Sequence, residues 1–175
     1  MLLEPALESD YPDVIALINL AFRGGGEIAS WNIESGIIEG QRLNDSLLRE
    51  DLATKPDAHL LVHRSPEGAL LGTVWLEPAA EDAWYLGMLS VRPELQNQQL
   101  GRRMLAASED FAHAHGAQRI RMTVLNVRDA LLEWYLRRGY NLTGETKPFP
   151  YGDDRFGRPL RDDLHFLVLE RSIAG

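Results

Sequence analysis

A strand that runs into a polar loop and then directly into a helix constrains this chain more than any other segment. Residues 84–91 are an apolar run typical of a buried strand, and an amphipathic helix is predicted over residues 99–115. The first N–H groups of a helix lack partners within it, so with the helix dipole they form an anion site. The loop at residues 96–102 therefore suits a phosphate group, although a plain strand–loop–helix crossover fits the same pattern.

The other elements predict one α/β domain covering residues 1–175. Strands are predicted at residues 2–6, 59–63, 70–76, 119–125, 140–144 and 164–170, and helices at 10–22, at 45–53 and after Asn126, which is interpreted as a helix cap. Residues 27–43 and the Pro-containing stretch before Leu164 are predicted to be loops. This order of elements predicts a single sheet with helices on both faces.

Charge and composition exclude several classes of function. The chain carries 26 acidic and 18 basic residues, a net charge of −8, which is the wrong sign for a nucleic-acid-binding protein. The arginines that cluster in the second half are interpreted as solvated helix and strand faces: Arg119, Arg121, Arg128, Arg137 and Arg138. Without cysteine there is no disulfide, thiol nucleophile or zinc–thiolate site, and the histidines do not have the spacing of metal ligands.

The location expected from the sequence is the cytoplasm. No apolar run approaches the ~20 residues that span a bilayer. The first residues lack the basic and apolar regions of a signal peptide. Neither a membrane nor a nucleic acid is therefore expected as a partner.

Two short blocks give the chain a recognisable likeness. In the first, residues follow the pattern V-x-P-x-x-Q, then a loop, then a Leu-containing helix: Val91, Pro93, Gln96, Gly101 and Leu105. In the second, which begins some ~35 residues later, the matching positions are Asn126, Ala130, Tyr135, Gly139 and Tyr140. Together, in this order, the blocks resemble the GCN5-related N-acetyltransferase (GNAT) family.

The resemblance implies a GNAT fold, in which a mostly antiparallel mixed sheet has helices on both faces and splits between its two central strands. It also implies a reaction in which acetyl-CoA is a co-substrate and its acetyl group is transferred directly to a primary amine. No metal is expected to take part. The residues expected to hold the co-substrate are Leu89, Ser90, Val91, Gln96, Asn97, Gln98, Gln99, Leu100, Gly101, Arg102 and Asn126. Tyr135 is expected to protonate the departing thiolate.

The chain departs from the family pattern at two places. The family's loop usually has glycine where this chain has Asn97 and Gln99. Histone-type relatives place a general-base glutamate near Tyr85, so the base cannot be carried over. By position, Glu77 and Glu81 are the candidate bases.

The acceptor is expected to be a small molecule or a peptide, and its pocket is predicted in the long segment between the first two helices. That segment offers an aromatic wall in Trp31 and two carboxylates, Glu27 and Glu34, which attract a protonated amine. A non-catalytic acyl-CoA-binding regulatory module is the alternative, and a homodimer is left open.

Overall fold

The computed structural model describes residues 1–24 and 36–175, with only the backbone described at residues 96 and 97. Its strands are β1 (Glu4–Pro5), β2 (Ile38–Glu39), β3 (His59–Arg64), β4 (Leu70–Pro78), β5 (Ala83–Val91), β6 (Arg119–Leu125), β7 (Asn141–Pro148), β8 (Arg158–Pro159) and β9 (His165–Ser172). Its α-helices are α1 (Tyr11–Arg23), α2 (Asp45–Thr54), α3 (Leu100–Ala114) and α4 (Asp129–Leu136). A 3-10 turn, Pro93–Gln98, links β5 to α3.

Seven of the strands form one sheet in the order β1-β3-β4-β5-β6-β9-β7. Every neighbouring pair is antiparallel except β5 and β6, which run parallel. A parallel pair needs a crossover connection, and α3 lies within that connection. The predicted mixed, mostly antiparallel sheet is therefore confirmed.

Helices cover both faces of this sheet. Alternate residues of a strand point to opposite faces, and both faces carry apolar side chains that the helices bury. On one face, α1 and α2 pack Ile18 and Leu48 against Val62 of β3. On the other face, α3 packs Leu105 and Ala112 in the cluster that contains Leu61, the preceding residue of β3. The sheet thus separates two apolar cores, and none of the helices that the structure describes is long and apolar enough to cross a bilayer.

The predicted helix starts have mixed outcomes. The sequence offers Asn44 or Asp45 as the cap of α2, and the structure shows Asn44, whose side chain accepts a hydrogen bond from the Leu47 N–H at 2.9 Å. The prediction that Asn126 caps the next helix is wrong. The N-cap of α4 is Arg128, and the Asn126 side chain instead binds backbone groups of Asp163 and His165.

The prediction that the stretch before Leu164 is a loop is also partly wrong. Strand β7 continues to Pro148, and β8 pairs with β2 to form a second, two-stranded sheet. Gly157 makes this pairing close, because a methyl group added there would lie 2.5 Å from the Glu39 carbonyl oxygen. The sequence does not reveal this pairing, since its two strands are only two residues long and are separated by more than a hundred residues.

An aromatic cluster joins β3, β5 and α3 at one end of the sheet. The His59 ring stacks on Trp84 at 5.6 Å, meets Phe111 edge-on at 5.1 Å and lies 5.3 Å from the His115 ring. Burial lowers the pKa of His59, the neighbouring His115 lowers it further, and Asp57 acts in the opposite direction. The folded protein therefore favours the neutral ring.

This lowered pKa predicts a stability that depends on pH. A base whose pKa is depressed by folding contributes stability above its unfolded pKa, about 6.5 for histidine, and that stability is lost as the pH falls. We expect the free energy of unfolding to decrease from pH 7.5 to pH 5.5, and His59→Phe to reduce this dependence. Urea denaturation at both pH values measures it. His63→Phe, on the same strand but outside the cluster, should keep the wild-type pH dependence; equal slopes for all three proteins would contradict the prediction.

Candidate active site

The sheet opens between β5 and β6, as the resemblance implies. Only three residue pairs join these strands, from Ala83–Arg119 to Tyr85–Arg121, and beyond them the strands diverge. A cleft of about 590 Å³ lies in the opening. Its charged and polar lining residues are Arg23, Arg42, Lys55, Glu77, Tyr85, Arg121, Thr123, Arg128, Tyr135 and Lys147.

A β-bulge in β5 lies at the point where the strands diverge. Opposite β4, Trp75 pairs with Gly87 and Thr73 pairs with Ser90, so β5 has one extra residue between these pairs. Met88 within the bulge has a positive φ of 51°, which is uncommon for a residue with a side chain. The bulge shifts the alternation of side chains, so Leu86 and Leu89 both reach the core on the α3 side.

Gly87 has a packing role within this bulge. A methyl group there would lie 2.8 Å from Cε1 of Tyr85, so the tyrosine ring covers the glycine. Tyr85 also lines the cleft. Gly87 therefore marks both a bulge and a close approach, as an isolated glycine in a strand often does.

The loop that precedes α3 presents N–H groups that have no partner within the helix. Gln99 adopts the left-handed conformation, with φ 59° and ψ 16°, and α3 begins at the next residue. Its carbonyl accepts the first helical hydrogen bond from the Arg103 N–H at 3.0 Å. Helical N–H groups before Arg103, including those of Gly101 and Arg102, have no partner within the helix and are suited to bind an anion.

Other residues expected to hold the co-substrate are distributed around this loop. Leu89 lines the cleft, whereas Val91 and Leu100 are buried together with Met104 under α3. The Ser90 hydroxyl donates to the Met88 carbonyl at 3.1 Å and stabilises the bulge. Gln98 and Gln99 are exposed.

Tyr135 lies on α4 with its side chain buried beside the cleft. Its ring packs edge-to-face against Trp134 at 5.0 Å and Tyr140 at 5.7 Å. Burial raises the pKa of the Tyr135 phenol well above its usual range, and the neighbouring Tyr85 raises it further, whereas Arg128 and Arg138 oppose this. A tyrosine phenol is already protonated at neutral pH, so the raised pKa keeps the proton in place but makes the phenol a weaker acid.

The two candidate bases occupy different environments. Glu77 lines the cleft, and its carboxylate accepts hydrogen bonds from Trp75 Nε1 at 2.9 Å and Lys55 Nζ at 3.1 Å. Glu81 lies in the turn after β4, where its side chain is 83% exposed and pairs with Arg119 at 3.4 Å. The structure therefore brings Glu77, but not Glu81, to the cleft.

Asn126 has a different environment from the one expected. Its Nδ2 donates to the Asp163 carbonyl at 3.0 Å, and its Oδ1 accepts from the His165 N–H at 2.9 Å. The side chain thus fastens the start of β9 to the end of β6. This contact supports the wall of the cleft, and Asn126 is not among the residues that line it.

The interpretation of the arginines in the second half as solvated is wrong for some of them. Arg128 is only 8% exposed and lines the cleft beside Tyr135. Arg138 lies over the Trp134 ring, with its Cζ 3.7 Å from the ring centroid. Arg102, Arg137, Arg138 and Arg171 line a second groove of about 560 Å³ beside α3. Amphipathic spacing on α4 carries no signal for the burial of Arg128, because that residue precedes the helix.

The predicted acceptor residues Glu27, Trp31 and Glu34 lie outside the described residues. Of the segment that contains them, the structure describes Gly36 onwards, and Arg42 there lies over the Phe156 ring at 4.9 Å. Within the described ranges, no three or more His, Asp or Glu side chains are grouped so as to hold a metal ion.

The family relationship follows from the sequence and agrees with this geometry. Residues 26–140 match the Acetyltransferase (GNAT) family. Because the match covers more than half of the chain, the protein belongs to this family. No curated protein sequence matches the chain.

Solved structures share the fold at low sequence identity. The ribosomal-protein-S18-alanine N-acetyltransferase of Escherichia coli has a TM-score of 0.69 and 14% identity, with 99% of this chain and 94% of that chain covered. An IAA acetyltransferase of Bacillus cereus has a TM-score of 0.66 and 15% identity, with 98% of each chain covered. A GNAT acetyltransferase of Elizabethkingia anophelis with acetyl-CoA bound has a TM-score of 0.59 and 16% identity, covering 74% of this chain and 83% of that chain.

The left-handed conformation of Gln99 predicts an unusual response to glycine. Glycine adopts this conformation without the cost of roughly 1–2 kcal/mol that a side chain adds, although it also loses more entropy on folding. We expect Gln99→Gly to be about 1 kcal/mol more stable than Gln98→Gly, its neighbour in the 3-10 turn. Thermal denaturation of both variants measures this. Equal destabilisation by the two substitutions would show that the Gln99 side chain stabilises the loop.

Proposed function

We propose that this protein is an acetyl-CoA-dependent N-acetyltransferase that transfers the acetyl group directly to a primary amine. The observation that carries the proposal is the position of a buried tyrosine, Tyr135, and a carboxylate, Glu77, on the lining of one cleft that opens through the sheet. A proton donor and a proton acceptor on a shared cleft suit a reaction in which an amine loses a proton and a thiolate gains one.

The residues present fit acetyl-CoA, which supplies an activated acyl group as a thioester. Beyond Tyr85 the inner edges of β5 and β6 are unpaired, so backbone groups near Leu89 and Val91 can hold an extended arm as a further strand would. The N–H groups at the start of α3 suit its pyrophosphate. The arginine-lined groove beside α3, which includes Arg102 and Arg138, adds positive charge next to that site.

The two faces of the sheet separate donor from acceptor. Leu86, Leu89 and Tyr135 belong to the core on the α3 side, where the anion-binding loop also lies. Tyr85 and Met88 pack against the core under α1 and α2, on the opposite face. The amine therefore approaches from the side of α1 and α2, where Lys55 at the end of α2 holds Glu77.

Each proton has a defined route in this arrangement. The acceptor must attack as a neutral amine, and Glu77 accepts its proton, directly or through one water. As the new C–N bond forms and the C–S bond breaks, the Tyr135 hydroxyl donates its proton to the sulfur. A backbone N–H near Leu89 polarises the acyl carbonyl. The predicted acceptor contacts of Glu27, Trp31 and Glu34 are part of this proposal.

Binding of the co-substrate is testable without an acceptor. A ligand at about 100 times its Kd stabilises the native state by about 2.7 kcal/mol. For a chain of this size we expect the Tm to rise by roughly 5–10 °C with saturating acetyl-CoA. Inorganic pyrophosphate at equal ionic strength, which lacks the pantetheine arm, should have a much smaller effect. No shift with millimolar acetyl-CoA would rule out the proposed co-substrate.

Removal of the Tyr135 hydroxyl tests catalysis. Tyr135→Phe keeps the ring packing, and loss of a general acid costs about 10²–10⁴ in rate. We expect kcat for acetyl transfer to fall by that factor while the Kd of acetyl-CoA is unchanged. Tyr140→Phe is the matched control, because that hydroxyl donates to Glu109 at 2.8 Å, away from the cleft. Tight binding of acetyl-CoA without turnover on any amine would favour the alternative, a non-catalytic acyl-CoA-binding module.

A further inference from the structure

The charge of the cleft lining is opposite to that of the protein. The chain as a whole has a net charge of −8. Among the described residues, the cleft lining nevertheless includes six basic side chains, Arg23, Arg42, Lys55, Arg121, Arg128 and Lys147, and a single carboxylate, that of Glu77. An acidic surface around a basic cleft indicates that the cleft, rather than the whole surface, selects by charge.

The lysines make this contrast sharper. The chain has 18 basic residues, of which only Lys55 and Lys147 are lysines, and both line the cleft. Each is followed by proline and lies at the end of an element: Lys55 caps the C-terminus of α2, and Lys147 is the penultimate residue of β7. The end of α2 and the end of β7 thus place both lysine side chains of the chain on the lining of one cleft.

Most of the basic side chains in the lining have partners in the protein. Lys55 pairs with Glu77 at 3.1 Å, and Arg121 pairs with Glu145 at 2.8 Å. The Arg23 guanidinium donates to the Gly40 carbonyl at 2.9 Å. Lys147 is exposed, and in the part of the chain that the structure describes no carboxylate lies within ion-pair distance of it.

From this distribution we infer that the acceptor is a small amine that also carries an anionic group, either a carboxylate or a phosphate. Lys147 binds the anionic group while the amine lies at Glu77. The inference rests on the proposed acetyltransferase function and names the substrate class for the same cleft. Glu77, the one carboxylate among the described lining residues, is suited to the reacting nitrogen, because it can bind an ammonium and accept the proton that the ammonium loses. Lys147 supplies the charge that the anionic group needs when it leaves water.

The competing assignment is a cationic acceptor such as a polyamine. Such a ligand would bring further ammonium groups into a lining that already has six basic side chains and one carboxylate among its described residues. Like charges in a cleft with apolar walls repel more strongly than in water. The described walls are apolar around these charges, with Phe22, Phe149 and Phe156 among the lining residues.

A panel of matched amines tests this inference. Each pair shares a reactive primary amine and differs in the anionic group: β-alanine and β-alaninamide, or O-phosphoethanolamine and ethanolamine, with spermidine as the polycation. The readouts are thiol release from acetyl-CoA and the mass of the acetylated product. We expect kcat/KM for at least one anionic amine to exceed that of its neutral partner by about tenfold or more, because a hydrogen bond to a charged group contributes roughly that factor. The preferred pair distinguishes carboxylate from phosphate.

Variants then assign the preference to Lys147. Lys147→Gln should raise the KM for the anionic amine about tenfold and leave its neutral partner unaffected, while Lys147→Arg should retain the preference. Arg49→Gln controls for net charge, because Arg49 lies on α2 outside the cleft, where it pairs with Glu8 and Asp45. An anionic preference that Lys147→Gln leaves unchanged would overturn the role of Lys147.

The outcomes separate this inference from the proposed function. Acetylation of spermidine or neutral amines alone would overturn the anionic acceptor and leave the acetyltransferase function standing. If acetyl-CoA binds and none of a broad set of amines, anionic, neutral or cationic, is acetylated, the proposed function itself fails.

Discussion

The short parallel pairing of β5 with β6 is the constraint on which the cleft depends. The strands share only three residue pairs, so the backbone groups beyond Tyr85 and Arg121 face an opening instead of each other. Unpaired backbone groups are costly when they are buried, and an open cleft gives them access to water or to an extended ligand. The bulge at Met88 lies just beyond these three pairs, and the pairing of β5 with β4 resumes after it at Ser90 and Val91.

This opening also connects two cores that the sheet otherwise separates. Tyr135 and Leu89 belong to the α3 side, and Tyr85 and Met88 to the side of α1 and α2. A cleft lined by residues of both faces allows two substrates to meet from opposite directions without sharing an entrance. Among its described residues the lining is basic, although the protein as a whole is acidic.

Much of the fold was predictable because its signals are local. Apolar periodicity and the Asn44 cap predict α2 from a dozen residues, and the strand–loop–helix run predicts β5 and α3 in the same way. The pairing of β2 with β8 was not predictable, because it joins four residues across more than a hundred positions and depends on the close approach at Gly157. The start of α4 was misplaced since Asn126 has a capping residue's chemistry but is used in a long-range contact.

For the candidate site, the sequence by itself determined which residues have the right chemistry near the right elements: the loop at Gln99, the phenol of Tyr135 and two possible bases. Tertiary structure decided which of these share a cavity. Glu77 and Glu81 are four residues apart, yet sheet register places one in the cleft and the other in an exposed turn. Lys55 and Lys147 also line one cleft because strand order and packing bring distant parts of the chain together. No local sequence pattern encodes that proximity.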